Sequence, residues 1–470
     1  MSKMPALFLT VLLPLATSSC LDDVFEASPE ETGWEEPAQP VAREPGPLMI
    51  IGADGLDLEV IRPLAEQGRL PNIVNLMEHG CHGILLSERE MRSPPLWTTI
   101  ATGRPRSKHG IYDFVTGSRL WPEKLRQVKR KLVTSKMRKV PALWNVASDA
   151  GLKVAAVGWL NTWPAEKING VMVAPYVALG TSKQITIKGG VYRDECKQVY
   201  PPERWEEFLP LIVEAEDVPD KLVAAFASAP DGVIARKYPI LKRYMGGLRW
   251  SLAHTLTMKN LTLHLLKNDS PDLTMVYFEG SDSLAHRFWL FRQPRRQIAA
   301  QLAEAGYSTR YAKELAERYG KVVDTYYILL DEVIGELISA LGSGGRVILL
   351  SDHGFCSRSG QYPLSKAVPF TGEHRIEGTL VISGPGIRSG KRIYGATHYN
   401  ITPTVLDLLG VETDLRMEGN SLFPQIEDKE DYEELIVEQG ILLEAEQDDE
   451  DAVPFGEAEI ERLRSLGYVE

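Results

Sequence analysis

Asp54, Ser93, Asp282, His286, Asp352, His353 and His398 are the residues of this 470-residue chain whose types and placement could do chemistry. Most stand just after an apolar run. Asp54 follows Leu48-Met49-Ile50-Ile51-Gly52-Ala53, Asp282 follows the stretch opened by Thr274-Met275-Val276-Tyr277-Phe278, and Asp352-His353 follows Val347-Ile348-Leu349-Leu350-Ser351. Carboxylates and imidazoles emerging from several strand ends are what a metal site on an open α/β sheet requires. With one hydroxyl among them, they suit two divalent cations with a serine between. Asp282 and His286 are four residues apart, so the first turn of a helix would aim both at one ion. Asp352 and His353 would diverge on a regular strand, and Gly354 permits the turn that brings them together. Ser93 precedes Pro94-Pro95 where a helix should open, near backbone N–H groups that favour an anion. Its hydroxyl is a poor nucleophile unaided, and coordination to a dication would activate it without a histidine base. A helix cap is the other role open to it.

These residues need a scaffold that gathers them. Strand-like runs near 48–53, 84–86, 153–160, 274–279, 346–350 and 379–383 alternate with helical spacing over 56–67, 70–80, 97–102, 141–150 and 319–341. Such alternation predicts an α/β fold with a mainly parallel central sheet flanked by helices. His398 falls just ahead of a further helix marked by Val405, Leu406 and Leu409. Residues 177–270 break the rhythm with polar strand pieces, Pro-rich turns and a long helix over 241–267, and 290–315 reads as a helical excursion. Both are expected to be insertions at the strand ends that cap the site.

Composition narrows the function. Apolar residues make up 44% and charged residues 25%, as in ordinary globular proteins. The net charge of −12 is local, because residues 427–451 hold thirteen acidic side chains against Lys429. The remainder balances, and no basic excess signals a nucleic-acid-binding surface. Residues 1–20 read as a lipoprotein-type signal: Lys3, a short apolar run over 6–16, then small residues before Cys20. Lipidation of Cys20 would anchor an exported protein to the cell envelope. Residues 21–46 form an acidic, Pro-rich spacer, 47–426 the catalytic domain and 427–470 an acidic tail. Cys81, Cys196 and Cys356 form no zinc-finger spacing, and no disulfide framework is expected.

Four blocks together resemble the alkaline phosphatase superfamily, within it the type I phosphodiesterase/nucleotide pyrophosphatase branch. They are Ile51-Gly52-Ala53-Asp54-Gly55, residues 93–111, Asp282 to His286 with Ser351 to Phe355, and Thr397-His398 to Pro403. The resemblance implies two divalent ions, zinc with manganese as the alternative. Asp282, His286 and His398 would hold one, and Asp54, Asp352 and His353, with the Ser93 oxygen, the other. It implies hydrolysis of a small phosphate ester, a phosphodiester or nucleotide pyrophosphate bond, through a covalent phosphoserine at Ser93. His374, in Gly372-Glu373-His374-Arg375, follows similar loops near the superfamily site and is expected to bind substrate. Arg104, close in sequence to the nucleophile, is expected to do the same. The chain departs from the branch at Ser93, where threonine is usual, and at Leu96, where an asparagine would bind a phosphoryl oxygen. Sulfatases carry C/S-x-P-x-R, and here Trp97 stands in place of that arginine. Phosphomonoesterase, phosphotransferase or sulfatase activity on the same centre, or a catalytically inactive binding lipoprotein, are the alternatives.

Overall fold

Leu48–Ala53 (β1) is apolar at every position because both of its faces are covered. Met49, Ile51 and Ala53 join one core, and Leu48 and Ile50 the other. This is the pattern of a strand buried inside a parallel sheet. In this computed structural model the described residues are 46–422, apart from 119, 127–130, 180–184, 188–189, 193–196, 305 and 358–371. The signal over 1–20 with Cys20, nearly all of the 21–46 spacer, Cys196 and the 427–470 tail lie outside them.

The other strands are Gly80–Leu86 (β2), Val154–Val157 (β3), Gly170–Val173 (β4), Ile185–Ile187 (β5), Gly190–Tyr192 (β6), Val199–Tyr200 (β7), Leu273–Phe278 (β8), Arg346–Leu350 (β9), Gly354–Ser357 (β10), Gly372–Arg375 (β11), Glu377–Ser383 (β12) and Lys391–Thr397 (β13). Nine of them form one sheet in the order β13-β2-β12-β9-β1-β8-β3-β4-β7. It is mostly parallel: only β12 with β2 and β9, and β4 with β7, pair antiparallel. The fold is therefore the expected α/β sheet flanked by helices. One face is covered by Leu58–Glu66 (α1), Pro71–Glu78 (α2), Ile240–Asp269 (α5), Gly280–Arg292 (α6) and Val322–Leu341 (α7). The other face is covered by Ser93–Thr102 (α3), Leu143–Asp149 (α4) and Ile401–Leu409 (α8). Among the described residues no helix is long and apolar enough to cross a membrane.

Register decides where the chemistry sits. β1 lies between β8 and β9, with Ala53 opposite Phe278 and Gly52 opposite Leu350. The three strands therefore finish level, about 4.8 Å apart. Asp54, Asp352-His353 and the α6 residues Asp282 and His286 all issue from that common edge.

The span expected to cap the site divides differently. Its longest part, α5, buries Leu248, Leu252, Met258, Leu261 and Leu265 in the core beneath the sheet. That helix is a layer of the domain, not a cover. Its buried positions recur at helical spacing, which reads the same in the sequence whether a helix lies on a sheet or on a site.

Candidate metal centre

The β1–α1 turn supplies Asp54. Gly55 follows at φ 66°, a left-handed conformation that glycine adopts without strain. A Cβ there would stand 2.5 Å from the Phe355 ring and 3.1 Å from the Asp282 backbone. Glycine thus lets the three strand ends close on one another. Tyr277 donates its hydroxyl to Asp54 Oδ2 at 2.5 Å, and the Trp97 indole N–H donates to the same oxygen at 3.0 Å. Ser281 donates to the Asp54 carbonyl at 2.5 Å. Asp54 is thereby fixed with Oδ2 occupied and Oδ1 left over.

Trp97 has a second consequence. It lies on α3, one turn beyond Ser93, so the two side chains share a face of that helix. The Trp97–Asp54 hydrogen bond pins this face to the strand edge, and Ser93 is buried there. α3 begins at Ser93 itself with Arg92 as its cap residue and no side-chain capping bond, so the cap role is not the one Ser93 fills. The expected cradle of backbone donors is reduced to the N–H of Ser93 itself. Pro94 and Pro95 have no N–H, and Leu96 N–H is spent on the Arg92 carbonyl at 3.2 Å. Anion stabilisation beside Ser93 must come from elsewhere.

α6 places Asp282 and His286 one turn apart as expected, with His286 Nε2 3.3 Å from Asp282 Oδ1. His353 Nε2 stands 3.3 Å from Asp54 Oδ1, 3.6 Å from Asp352 Oδ2 and 3.7 Å from Asp282 Oδ1. Gly354 assists by close approach: a Cβ would meet the Glu377 carbonyl at 2.4 Å and Asp57 Oδ2 at 2.6 Å.

The structure places three of the expected residues differently. His374, expected to bind substrate, reaches Asp282 Oδ1 at 3.1 Å and His286 Nε2 at 2.8 Å. It belongs to the ligand cluster. His398, expected to complete the Asp282/His286 set, falls like His286 outside the two groups Asp282/His353/His374 and Asp54/Asp352/His353, but unlike His286, which stands 3.3 Å from Asp282 Oδ1, it has no ion-pair contact with Asp282 among the described residues. It is fully buried in the turn before α8, where its ring lies against the Asp352 backbone and near His353. Arg104 is also displaced. It lies beyond the far end of α3, about 15 Å along the axis from Ser93, and is held by the Arg416 carbonyl and Glu418.

The donor set fits divalent cations. Asp54 Oδ1, both Asp282 oxygens, Asp352 Oδ2 and His353 Nε2 are buried without a hydrogen-bond partner. Buried charged oxygens left so are costly unless something else satisfies them. Ligands ~2.1 Å from a tetrahedral ion stand ~3.4 Å from each other. Five of the contacts above, from 3.1 to 3.7 Å, bracket that spacing.

Without cations the cluster must be balanced by protons. Burial alone would lower His353, but Asp352, Asp54 and Asp282 pull it up to about 10. Burial and the Asp54 charge raise Asp352 well above the carboxylate range. Burial would likewise raise Asp282, but His286 and His374 draw it down. Burial and the His353 charge lower His374 to about 4, and burial lowers His398 to about 3. His353 binds its proton more tightly folded than unfolded, so its stabilisation is complete below pH 6.5 and is lost as pH rises through 10. Chelator-treated protein is therefore expected to melt at progressively lower temperature between pH 6.5 and 10. Metal-loaded protein, in which His353 is already deprotonated, should lack that slope. Calorimetry of both forms across this range checks it.

Residues 48–407 match the family described as type I phosphodiesterase / nucleotide pyrophosphatase. The extracellular sulfatase SULF-1 homolog of Drosophila melanogaster is 34% identical over 174 residues, 36% of this chain and 15% of that protein. The chain thus spans well under two thirds of that relative's length. Among solved structures, a 2-O GAG sulfatase aligns at 13% identity over 82% of this chain and 74% of its own, with a TM-score of 0.45. Phosphonoacetate hydrolase from Sinorhizobium meliloti 1021, in complex with phosphonoacetate, aligns at 15% identity over 67% and 58%, with a TM-score of 0.38.

Proposed function

The chain belongs to the type I phosphodiesterase/nucleotide pyrophosphatase family, hydrolases on an alkaline phosphatase-like fold, and we propose that it cleaves phosphodiester or phosphoanhydride bonds through a phosphoryl-serine at Ser93. The observation that carries this reading is the set of buried, unpartnered carboxylate and imidazole atoms converging at the shared edge of β8, β1 and β9. Asp54, Asp352 and His353 would hold one divalent ion, and Asp282, His286 and His374 the other. His353 stands between the two groups. Zinc suits this mixed oxygen and nitrogen set, and manganese is the alternative. Bound ions would supply positive charge that favours the ionised Ser93 hydroxyl and offsets charge growing on the phosphoryl and leaving oxygens.

The protein's own residues do the rest. Ser93 Oγ attacks phosphorus, the Oγ–P bond forms, and the bond from phosphorus to the leaving oxygen breaks. The hydroxyl proton ends on the departing alcohol. A water then attacks the phosphoryl-serine, its oxygen passes to phosphorus, and the Oγ–P bond breaks as one water proton goes to Oγ, which restores Ser93. Tyr277 and Trp97 keep Asp54 oriented throughout.

Charge bookkeeping favours a monoanionic diester. Three carboxylates and an ionised serine cancel two divalent cations, so a singly charged phosphoryl group enters a neutral centre. A monoester dianion would need a further cation. Arg106 is paired with Glu88 and Glu90, and Arg375 with Asp57. Trp97, at the position where the sulfatase pattern has arginine, is committed to Asp54. With zinc or manganese, bis-p-nitrophenyl phosphate is expected to be turned over roughly 10²-fold more efficiently in kcat/KM than p-nitrophenyl phosphate, with p-nitrophenyl sulfate inert. Equal or preferred turnover of the monoester or the sulfate would sink the diester reading.

A further inference from the structure

Asp57 and Arg375 lie outside the ligand set, yet both border it. Asp57 is fully buried in the turn that also carries Asp54. Its Oδ1 accepts from Glu59 N–H at 2.6 Å and from Arg375 Nη2 at 2.8 Å. Its Oδ2 accepts from Phe355 N–H at 2.5 Å and from Arg375 Nε at 2.9 Å. Asp57 N–H in turn donates to the Tyr327 hydroxyl at 2.8 Å, which donates to the Gly55 carbonyl at 3.2 Å. One carboxylate therefore joins three segments: the β1–α1 turn, the start of β10 just after His353, and β11 beside His374.

From this geometry we propose that the Asp57–Arg375 pair is a positioning clamp that sets His374, and to a lesser degree His353, for cation binding. The inference rests on the two-ion reading above. Among the described residues β11 pairs only with β10, with His374 opposite Phe355 and Arg375 opposite Gly354. Arg375 binds Asp57 through two N–H groups in a fork, which fixes direction as well as distance. On the neighbouring side the His374 ring is held by the Met91 carbonyl, 3.0 Å from Nδ1, which leaves Nε2 toward Asp282. The carboxylate also anchors Phe355 N–H, two residues past His353. Loss of Arg375 alone should thus disturb His374 first, whereas loss of the Asp57 charge should reach both histidines.

The test is metal binding by the folded full chain, followed by chelator competition with zinc and by visible spectra of the cobalt-loaded protein. Removing Arg375 alone buries an unpaired carboxylate and could unfold the protein, so Arg375→Lys and the double variant Asp57→Asn with Arg375→Met are measured beside Arg375→Met. Circular dichroism selects the folded ones. Wild type is expected to bind two ions. Folded Arg375 variants should bind the ion held by His374 10- to 100-fold more weakly, with a changed cobalt band, and the double variant should also weaken the ion held by His353, while lysine should restore only part of the affinity. Adding His374→Ala to the double variant should weaken the first of these ions little further, since both changes remove the same ligand. Two ions held with wild-type affinity in the folded double variant, or losses that add in full to that of His374→Ala, would overturn the clamp. A wild-type protein that binds no metal would instead refute the two-ion reading itself.

Discussion

Ser93→Ala is expected to lower turnover of a phosphodiester by roughly 10³-fold or more while leaving both ions bound. The carboxylates and imidazoles form the two groups without Ser93, so deleting its oxygen removes a reactant and not the frame. Thr98 and Asn161 brace the first turn of α3 at the Pro94 carbonyl, at 2.7 and 2.8 Å, and neither depends on the serine hydroxyl. The fold of the helix should survive. Rapid quenching of wild type with substrate should place one phosphoryl adduct on the peptide containing Ser93, readable by mass, and the variant should show none. Full activity in Ser93→Ala would mean that a water attacks the substrate directly.

The second large effect concerns the histidines. His353 Nε2 lies within 3.7 Å of carboxylate oxygens from Asp54, Asp352 and Asp282, so it belongs to both groups. His353→Ala is expected to weaken the ion it shares with Asp54 and Asp352 by at least roughly 10²-fold, to weaken the other ion less, and to abolish activity. His374→Ala should weaken one ion by a similar factor and spare the other. His398→Ala should leave both bound, since its ring stands outside both groups. Metal content after dialysis against graded chelator distinguishes the three. Loss of an ion in His398→Ala together with full retention in His374→Ala would restore the assignment read from sequence.

That reversal shows where sequence reading stopped. Asp54, Asp282 and Asp352 were legible because each follows an apolar run long enough to be a buried strand, and strand ends in a parallel sheet share an edge. Asp282 and His286 were legible from helical spacing alone. His374 carried no such mark. It sits in a short polar strand after residues 358–371, and no periodicity ties Gly372-Glu373-His374-Arg375 to the sheet. His398 had the mark without the geometry: it precedes a clear helix, but its ring rests against the Asp352 backbone and falls in neither group. The support of Asp54 by Trp97 and Tyr277 was hidden for another reason. Buried aromatics read as core, and only the folded structure shows that each spends its polar atom on one carboxylate oxygen. Asp57 and Arg375, 318 residues apart, were unreadable as a pair. Distant charges carry no sequence pattern that links them.

The proposed diester preference rests on the same centre. Its electrostatics follow from three buried carboxylates that must be neutralised, and the guanidinium groups of Arg106 and Arg375 are already paired. A substitution that frees a cation near Ser93 is therefore the change that would move the enzyme toward monoesters.

Anomalous diffraction from crystals grown with zinc puts these assignments to the most direct test. Two peaks are expected, one among Asp54, Asp352, His353 and the Ser93 oxygen, the other among Asp282, His286 and His374. A single peak, none, or a site built around His398 with Ser93 turned away from both ions would contradict the two-cation centre.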